Sequence, residues 1–292
     1  MTTVKVFAPA KINLSLHVTG RRSNGYHDLD SLVAFLDVGD TIIAEPAESL
    51  TLDLSGPVAA EVPANDDNLV LKAARLLECR EGARITLIKH LPVASGIGGG
   101  SADAAATVRA LCSLWQKPWP EMSRLAQLGA DIPVCMQSGF THMRGIGDQL
   151  DVLGPTPELN FVLINPSVAV PTPTVFEALQ KKDNAAIAGA LPLPRNPSER
   201  EQWISWIANQ RNDLEAPAIR EFPVIDDVLA ELRGLPGCLV ARMSGSGATC
   251  LGIYRDKPDL AKLTDRRPNW WITQSAEWPV VFTESEPGTG VR

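Results

Sequence analysis

Four glycines within five residues are the first feature of this chain that could do chemistry. They are Gly96, Gly98, Gly99 and Gly100, in the segment PVASGIGGGSADAAATVRAL that starts at residue 92. The segment leads into a helical pattern, and the first turn of a helix has unpaired N–H groups and a positive dipole end. Glycines in front of it let the backbone curl around one anion. The loop therefore predicts a phosphate site that needs no lysine.

Two serines, Ser95 and Ser101, flank these glycines and could add hydroxyl donors to a phosphate. Two well-known nucleotide-binding loops, the P-loop and the dinucleotide-binding loop, are excluded because their consensus sequences do not match. The P-loop needs a Gly-Lys pair, which this chain lacks, and a G-x-G-x-x-G fingerprint starting at Gly96 would require glycine where Ser101 stands. The alternative that remains is a flexible turn with no ligand.

The position of the glycine loop depends on the strands and helices around it, which can be predicted from the sequence. Alternation and β-branched residues predict strands near 4–8, 12–18, 41–45, 50–56 and 83–92. Helical spacing predicts helices at 65–80, from the glycine loop to about residue 115, and at 118–129. We expect residues 130–153 to form a loop and two strands.

A proline-rich stretch, LGPTPELN at 153–160, predicts a joint between two domains, 1–157 and 158–292. The second half begins with the strand pattern FVLINP at 161–166. Helices are expected near 173–182, 198–210 and 222–235, followed by a strand-turn-strand unit over 238–254, a further helix and a strand at 270–274. The end of the chain, 284–292, has the composition of a solvated tail.

Composition limits the function classes. The chain has 292 residues, 45% hydrophobic, and a formal charge of -7, which disfavours nucleic acid and anionic membranes as partners. No signal peptide or membrane-spanning stretch is visible, so we expect a cytoplasmic protein, monomeric or homodimeric. The cysteines form no C-x-x-C pair and are expected to be free thiols. The four histidines lack the spacing of a zinc site.

The loop spelling P-x-x-x-G-[IL]-G-G-G-S-A resembles the ATP loop of the GHMP kinases, small-molecule kinases that include galactokinase, homoserine kinase, mevalonate kinase and phosphomevalonate kinase. The resemblance implies an α+β fold of two domains. The first would be like domain 2 of ribosomal protein S5 and the second ferredoxin-like, with ATP and substrate in the cleft between them. It also implies that ATP binds to Pro92, Val93, Ala94, Ser95, Gly96, Ile97, Gly98, Gly99, Gly100, Ser101 and Ala102.

Three further stretches narrow the resemblance. They are APAKINLSLHVTGRRSNGYHDLDSL at 8–32, LGADIPVCMQSG at 128–139 and ARMSGSGATC at 241–250. Together with NPSVAVPTPTVF and RNDLEAPA they resemble the 4-diphosphocytidyl-2-C-methyl-D-erythritol kinases of the non-mevalonate route to isoprenoids. That family implies transfer of a phosphoryl group from ATP to the 2-hydroxyl of the methylerythritol moiety, with Mg²⁺ held by ligands that the sequence does not reveal.

The resemblance gives Lys11 and Asp131 catalytic roles. Asp131 would accept the proton of the substrate hydroxyl, and Lys11 would keep that carboxylate ionised and steady the developing alkoxide. Without the family, Asp131 would be taken for a helix cap and Lys11 for a solvated residue at a strand edge.

The same resemblance implies a cytidine pocket. Tyr26 and Phe176 would stack on the cytosine ring, and His27 would read its polar edge, because an imidazole can donate and accept. Asn13 would hold the substrate near Lys11. The glycine turn SGSG would line the site through Ser244, Gly245, Ser246 and Gly247.

Two rival functions stay open at this point. Another kinase of the superfamily, acting on homoserine or mevalonate, would share the loop but would have no use for a base-stacking pocket. A nucleotide-binding protein without activity is disfavoured because Lys11 and Asp131 are both present.

Overall fold

The chain folds into two sheets, each covered by helices, as the α+β expectation predicted. A computed structural model describes residues 2–153, 159–189, 191 and 199–276. Its strands are β1 (Val4–Arg21), β2 (His27–Ala47), β3 (Thr51–Ser55), β4 (Gly82–Ile88), β5 (Thr141–Gly145), β6 (Gln149–Val152), β7 (Asn160–Asn165), β8 (Cys238–Met243), β9 (Cys250–Tyr254) and β10 (Trp271–Ala276). Its helices are α1 (Leu69–Leu76), α2 (Gly99–Trp115), α3 (Met122–Leu128), α4 (Ile132–Gln137), α5 (Thr172–Glu177), α6 (Arg200–Ala208), α7 (Glu215–Glu221), α8 (Val224–Gly234) and α9 (Ala261–Arg266).

The first sheet has the strand order β3-β4-β2-β5-β6, with β1 paired to β2, and the second has the order β10-β7-β9-β8. A long antiparallel ribbon of β1 and β2 connects the two halves. The backbone of Leu16 in β1 exchanges hydrogen bonds with Arg211 and Asp213 of the second half. Residues of β1 can therefore contribute to a site between the two sheets.

The ribbon differs from the expectation in two ways. β1 is one continuous strand where two short ones were predicted, and residues 28–39, which were not predicted to be a strand, lie within β2. Residues 32–36 are all buried: Val33 and Phe35 face one hydrophobic core, whereas Leu32, Ala34 and Leu36 face another. A strand buried on both faces has no polar alternation, so the pattern that predicts half-buried strands is missing.

Residues 130–153 also depart in part from the expected loop and two strands. The strands β5 and β6 are present, but a short helix, α4, precedes them. Pro133 in its first turn suits a helix start, and Ile132, Val134 and Met136 pack into the first core. This helix matters for the site because Asp131 stands at its N-terminus.

α2 lies against β1 and β2 through a face of small residues. Ala102, Ala104, Ala105, Ala106 and Ala110 are all buried in the first core. Small side chains let the helix approach the sheet closely, which fixes the position of its N-terminus and so of the glycine loop.

Two expectations fall outside the described residues: the domain boundary at 157 and the tail at 284–292. Of the helices in the described part of the chain, none has the length and apolar character needed to cross a membrane.

Candidate active site

A cleft of about 660 Å³ lies between the two sheets. Its walls come from β1, the glycine loop, the start of α4, the start of α5 and the turn between β8 and β9. Lys11, the glycine loop, Asp131 and the SGSG turn are thus brought to one place, although more than 230 residues separate the first from the last, whereas Tyr26 and His27 do not line the cleft.

Two glycines of the loop have backbone conformations that favour glycine. Gly96 has φ +75 and Gly98 has φ +64, values that other residues adopt only with strain. Gly98 is the N-cap of α2, so the unpaired N–H groups of the first turn begin at the mouth of the cleft. This geometry suits an anion held by backbone N–H groups.

The predicted loop residues divide into two groups. Ile97 and Ala102 are buried in the hydrophobic cores and do not line the cleft. Those that line it are Pro92, Val93, Ala94, Ser95, Gly96, Gly98, Gly99, Gly100 and Ser101. The hydroxyl of Ser95 donates to the carbonyl oxygen of Pro92 at 2.7 Å, so Ser101 is the better placed of the two serines to donate to a ligand.

Lys11 and Asp131 form an ion pair in the cleft. Nζ of Lys11 lies 3.0 Å from Oδ2 of Asp131, and the two side chains are 5% and 37% exposed. The Asp131 side chain makes no capping hydrogen bond to α4, and Lys11 is buried, so neither behaves as its sequence alone would suggest. The backbone N–H of Lys11 donates to the carbonyl of Ile97, which ties the lysine to the glycine loop.

Asn13 also contacts this pair. Its Oδ1 accepts from Nζ of Lys11 at 3.1 Å, and its side chain lines the cleft. The predicted role of Asn13, to hold the substrate near Lys11, stays a prediction.

The SGSG turn packs directly against the glycine loop. The hydroxyl of Ser244 donates to the carbonyl of Gly96 at 3.0 Å and accepts from the backbone N–H of Asn13 at 3.1 Å. Ser244 is fully buried and does not line the cleft, so its hydroxyl connects the two turns, and a contact of this residue with substrate stays a prediction. Gly245 and Ser246 line the cleft, whereas Gly247 donates its N–H to the carbonyl of Ser244.

Asn212 forms hydrogen bonds to the SGSG turn, and the sequence reasoning did not identify this residue. Its Nδ2 donates to the carbonyls of Met243 and Gly245, each at 2.8 Å, and its Oδ1 accepts from the N–H of Leu214. Asn212 belongs to the RNDLE stretch, so its type and position were visible, but the carbonyls that its Nδ2 binds lie more than thirty residues away.

A buried ionic cluster beneath the glycine loop was also missed. Nζ of Lys89 lies 2.6 Å from Oδ2 of Asp40 and 2.6 Å from Oδ2 of Asp103. Burial opposes the charge of Lys89, but the carboxylates of Asp103 and Asp40 outweigh it and raise the pKa of the ammonium. Burial raises the pKa of Asp103 to about 8, although the positive charge of Lys89 opposes this shift. The carboxyl group of Asp103, in the second turn of α2, therefore binds its proton more tightly than an ordinary aspartate does.

Asp103→Asn should change how stability depends on pH. The pKa of Asp103 is about 8 in the folded protein and 3.8 ordinarily. Between these two pH values the unfolded chain has released a proton that the folded protein keeps. The free energy of unfolding then falls as the pH rises through this window, by at most about 1.4 kcal/mol per pH unit. Asparagine does not titrate, so urea unfolding at about pH 5 and 8 should show a smaller loss in the variant. Equal losses would contradict a buried, protonated Asp103.

The expected cytidine pocket is arranged differently from the prediction. The ring of His27 stacks on Phe176, with centroids 4.6 Å apart and planes 21° apart, while Tyr26 is 58% exposed. Burial, followed by the charges of Lys182 and Arg21, lowers the pKa of His27, so its ring is neutral at pH 7. Its buried Nε2 has no hydrogen-bond partner within the described residues. Stacking of a base by Tyr26 and Phe176 stays a prediction.

No group of three or more His, Cys, Asp or Glu side chains among the described residues could enclose a metal ion. The described cysteines, all five of them, are free thiols, as expected.

Known proteins resemble this chain over most of its length. Residues 68–153 match the family model for the GHMP kinases N terminal domain, and residues 175–272 match that for the GHMP kinases C terminal domain. A 4-diphosphocytidyl-2-C-methyl-D-erythritol kinase of Cereibacter sphaeroides is 53% identical over 273 residues, which cover 92% of this chain and 97% of the relative.

Two solved structures have the same fold. The crystal structure of a 4-(cytidine 5'-diphospho)-2C-methyl-D-erythritol kinase matches with a TM-score of 0.72 and 32% identity, over 94% of this chain and 99% of its own. A homoserine kinase from Cytophaga hutchinsonii matches with a TM-score of 0.64 and 20% identity, over 95% of each chain, and shows the shared fold alone. The two-domain fold expected from the sequence is confirmed.

Proposed function

Because this chain belongs to the 4-diphosphocytidyl-2-C-methyl-D-erythritol kinase family of GHMP kinases, we propose that it phosphorylates the 2-hydroxyl of that compound with ATP. The reaction yields the 2-phosphate and ADP and is a step of the non-mevalonate route to isoprenoid precursors. The observation that carries the proposal is the Lys11–Asp131 ion pair, set beside the glycine loop in one cleft.

Asp131 acts as the general base. The 2-hydroxyl is tertiary and weakly acidic, so a positioned carboxylate that accepts its proton lowers the barrier to attack. Lys11 favours the ionised carboxylate and places positive charge where the alkoxide develops. The partial exposure of Asp131 supports this role, since the substrate hydroxyl can reach its carboxylate from the cleft.

The glycine loop binds the phosphates of ATP. Phosphoryl transfer depends on positioning and on stabilisation of charge, which the N–H groups at the start of α2 can supply. Mg²⁺ fits a site with few protein ligands, because it keeps waters and binds substrate phosphates. Ser101 and the ATP phosphates would hold it, and when bound it would neutralise phosphate charge.

The far end of the cleft binds the cytidine. A neutral His27 has one N–H donor and one acceptor, which suits the edge of a cytosine, and Phe176 provides an aromatic face that lines the cleft. Tyr26 precedes His27 in the chain and is exposed, so its ring is accessible to a bound base.

Phe176→Ala should weaken binding of the cytidyl substrate and leave ATP binding unchanged. Loss of an aromatic stacking face costs about 1–3 kcal/mol, so KM for the cytidyl substrate should rise roughly 10- to 100-fold. Steady-state kinetics with each substrate varied in turn measures this. Phe222→Ala is the control, since Phe222 belongs to the same core cluster but does not line the cleft. Equal rises in KM for both substrates would contradict a cytidine role for Phe176.

Release of ADP tests the function directly. The purified protein with Mg-ATP should turn over the cytidyl substrate and leave homoserine and mevalonate unphosphorylated. Turnover of homoserine or mevalonate alone would show that the protein is another kinase of the superfamily. Binding of ATP without turnover of any of these compounds would show that it is a nucleotide-binding protein without activity.

The proposal includes a cytoplasmic location, which the free thiols and the use of ATP support.

A further inference from the structure

A chain of buried hydrogen bonds runs from Lys11 into the sheet. Nζ of Lys11 donates to Oδ1 of Asn13 at 3.1 Å, and Nδ2 of Asn13 donates to Oγ of Ser31 at 2.8 Å. The hydroxyl of Ser31 donates in turn to the carbonyl oxygen of Ser15 at 2.6 Å. Asn13 is 1% exposed and Ser31 is fully buried, so solvent does not substitute for these contacts.

The direction of each hydrogen bond in this chain is fixed from its inner end. A carbonyl oxygen can only accept, so the single hydroxyl hydrogen of Ser31 points at Ser15 and the Ser31 oxygen faces Asn13 as an acceptor. That acceptor selects the Nδ2 end of the Asn13 amide, which turns Oδ1 toward Lys11. An ammonium can only donate, so the reversed amide would place two donors against each other.

The backbone of Asn13 is held independently. Its N–H donates to the hydroxyl of Ser244, which also binds the glycine loop. Loss of the Ser31 hydroxyl therefore leaves the strand in place and affects the orientation of the side-chain amide.

We propose that Ser31 is a positioning residue for the phosphoryl transfer, which acts on Lys11 through the side-chain amide of Asn13. The inference rests on the proposed function. With Ser31 present, the ammonium has one fixed acceptor in Asn13 and stays directed at Oδ2 of Asp131. Without it, Asn13 can rotate its amide and Lys11 loses the contact that keeps it beside the base.

A double-mutant cycle tests this coupling. Ser31→Ala should lower kcat about 10-fold, with KM for both substrates changed less than about 2-fold. Asn13→Ala should lower kcat about 30-fold, with KM for ATP changed less than about 2-fold. If Ser31 acts only through the amide, the double variant should match Asn13→Ala at about 30-fold, because nothing is left to position. Independent effects would multiply to about 300-fold and would overturn the inference.

Two further variants separate positioning from general loss of packing. Ser31→Thr keeps the hydroxyl and should recover most of kcat. Thr141→Val removes another fully buried hydroxyl, on the strand next to β2, and among the described residues its Oγ1 donates only to the carbonyl of Gly139. It should leave kcat within about 2-fold of wild type. A loss of kcat in Thr141→Val equal to that in Ser31→Ala would overturn the inference.

Failure of the inference is distinguishable from failure of the proposed function. A wild-type protein that does not phosphorylate the cytidyl substrate overturns both. An active wild type with multiplicative variants overturns only the role of Ser31. Should Ser31→Ala fail to fold, Ser31→Cys replaces it in the cycle, because a thiol keeps the shape but is a weak donor and acceptor.

Discussion

Asp131→Asn is expected to lower kcat about 1,000-fold while ATP still binds, because general-base catalysis contributes roughly 10²–10⁴-fold. An amide cannot accept the proton of the substrate hydroxyl. It also leaves the buried ammonium of Lys11 without the carboxylate that lies 3.0 Å away. The backbone of the glycine loop is untouched by this change, so the affinity for ATP should stay close to that of the wild type.

Rapid-quench measurement of ADP formation checks the chemical step, and calorimetric titration with ATP checks binding. The matched control is Asp151→Asn, an exposed aspartate paired with Arg144 in the β5–β6 hairpin, which should leave kcat unchanged. An Asp131→Asn variant that keeps more than a tenth of the wild-type kcat would show that another group accepts the proton.

The position of the glycine loop could be predicted from the sequence because its pattern is local. A run of glycines before a helical pattern indicates a turn that leads into a helix, and the structure has α2 beginning at Gly99, with Gly96 and Gly98 at positive φ angles. Lys11 and Asp131 are a different case. No local pattern connects residues 120 positions apart, and only the family resemblance brought them together before the fold did.

The buried cluster of Asp40, Lys89 and Asp103 shows why other contacts around the site could not be predicted from the sequence. Each of these residues, taken alone, has the sequence context of a solvated charge. Only the pairing of β2 with β4 and the position of α2 bring the three charges together away from water. The ring stack has the same origin, since His27 follows a turn and Phe176 lies in a helix of the other half.

Gly96→Ala is expected to cost about 3–5 kcal/mol of the free energy of unfolding and to abolish measurable turnover, since strain and overpacking add. A Cβ on Gly96 would lie 2.5 Å from the carbonyl oxygen of Ser244 and 2.7 and 2.8 Å from the backbone O and N of Gly247. These are backbone atoms and cannot rotate away. The loop and the SGSG turn would have to separate, which breaks the Ser244 hydrogen bond to Gly96.

Gly237→Ala separates the two causes of that loss. Gly237 has φ +78, nearly the same as Gly96, but a Cβ there meets nothing within 4 Å. Its variant carries the backbone strain alone and should lose only about 1–2 kcal/mol, with kcat unchanged. Urea unfolding and ADP release on both variants measure the contrast. If both lose the same stability, close approach of the two glycine turns contributes nothing. If Gly96→Ala loses more stability and its activity as well, that contact is what holds the glycine loop against the SGSG turn.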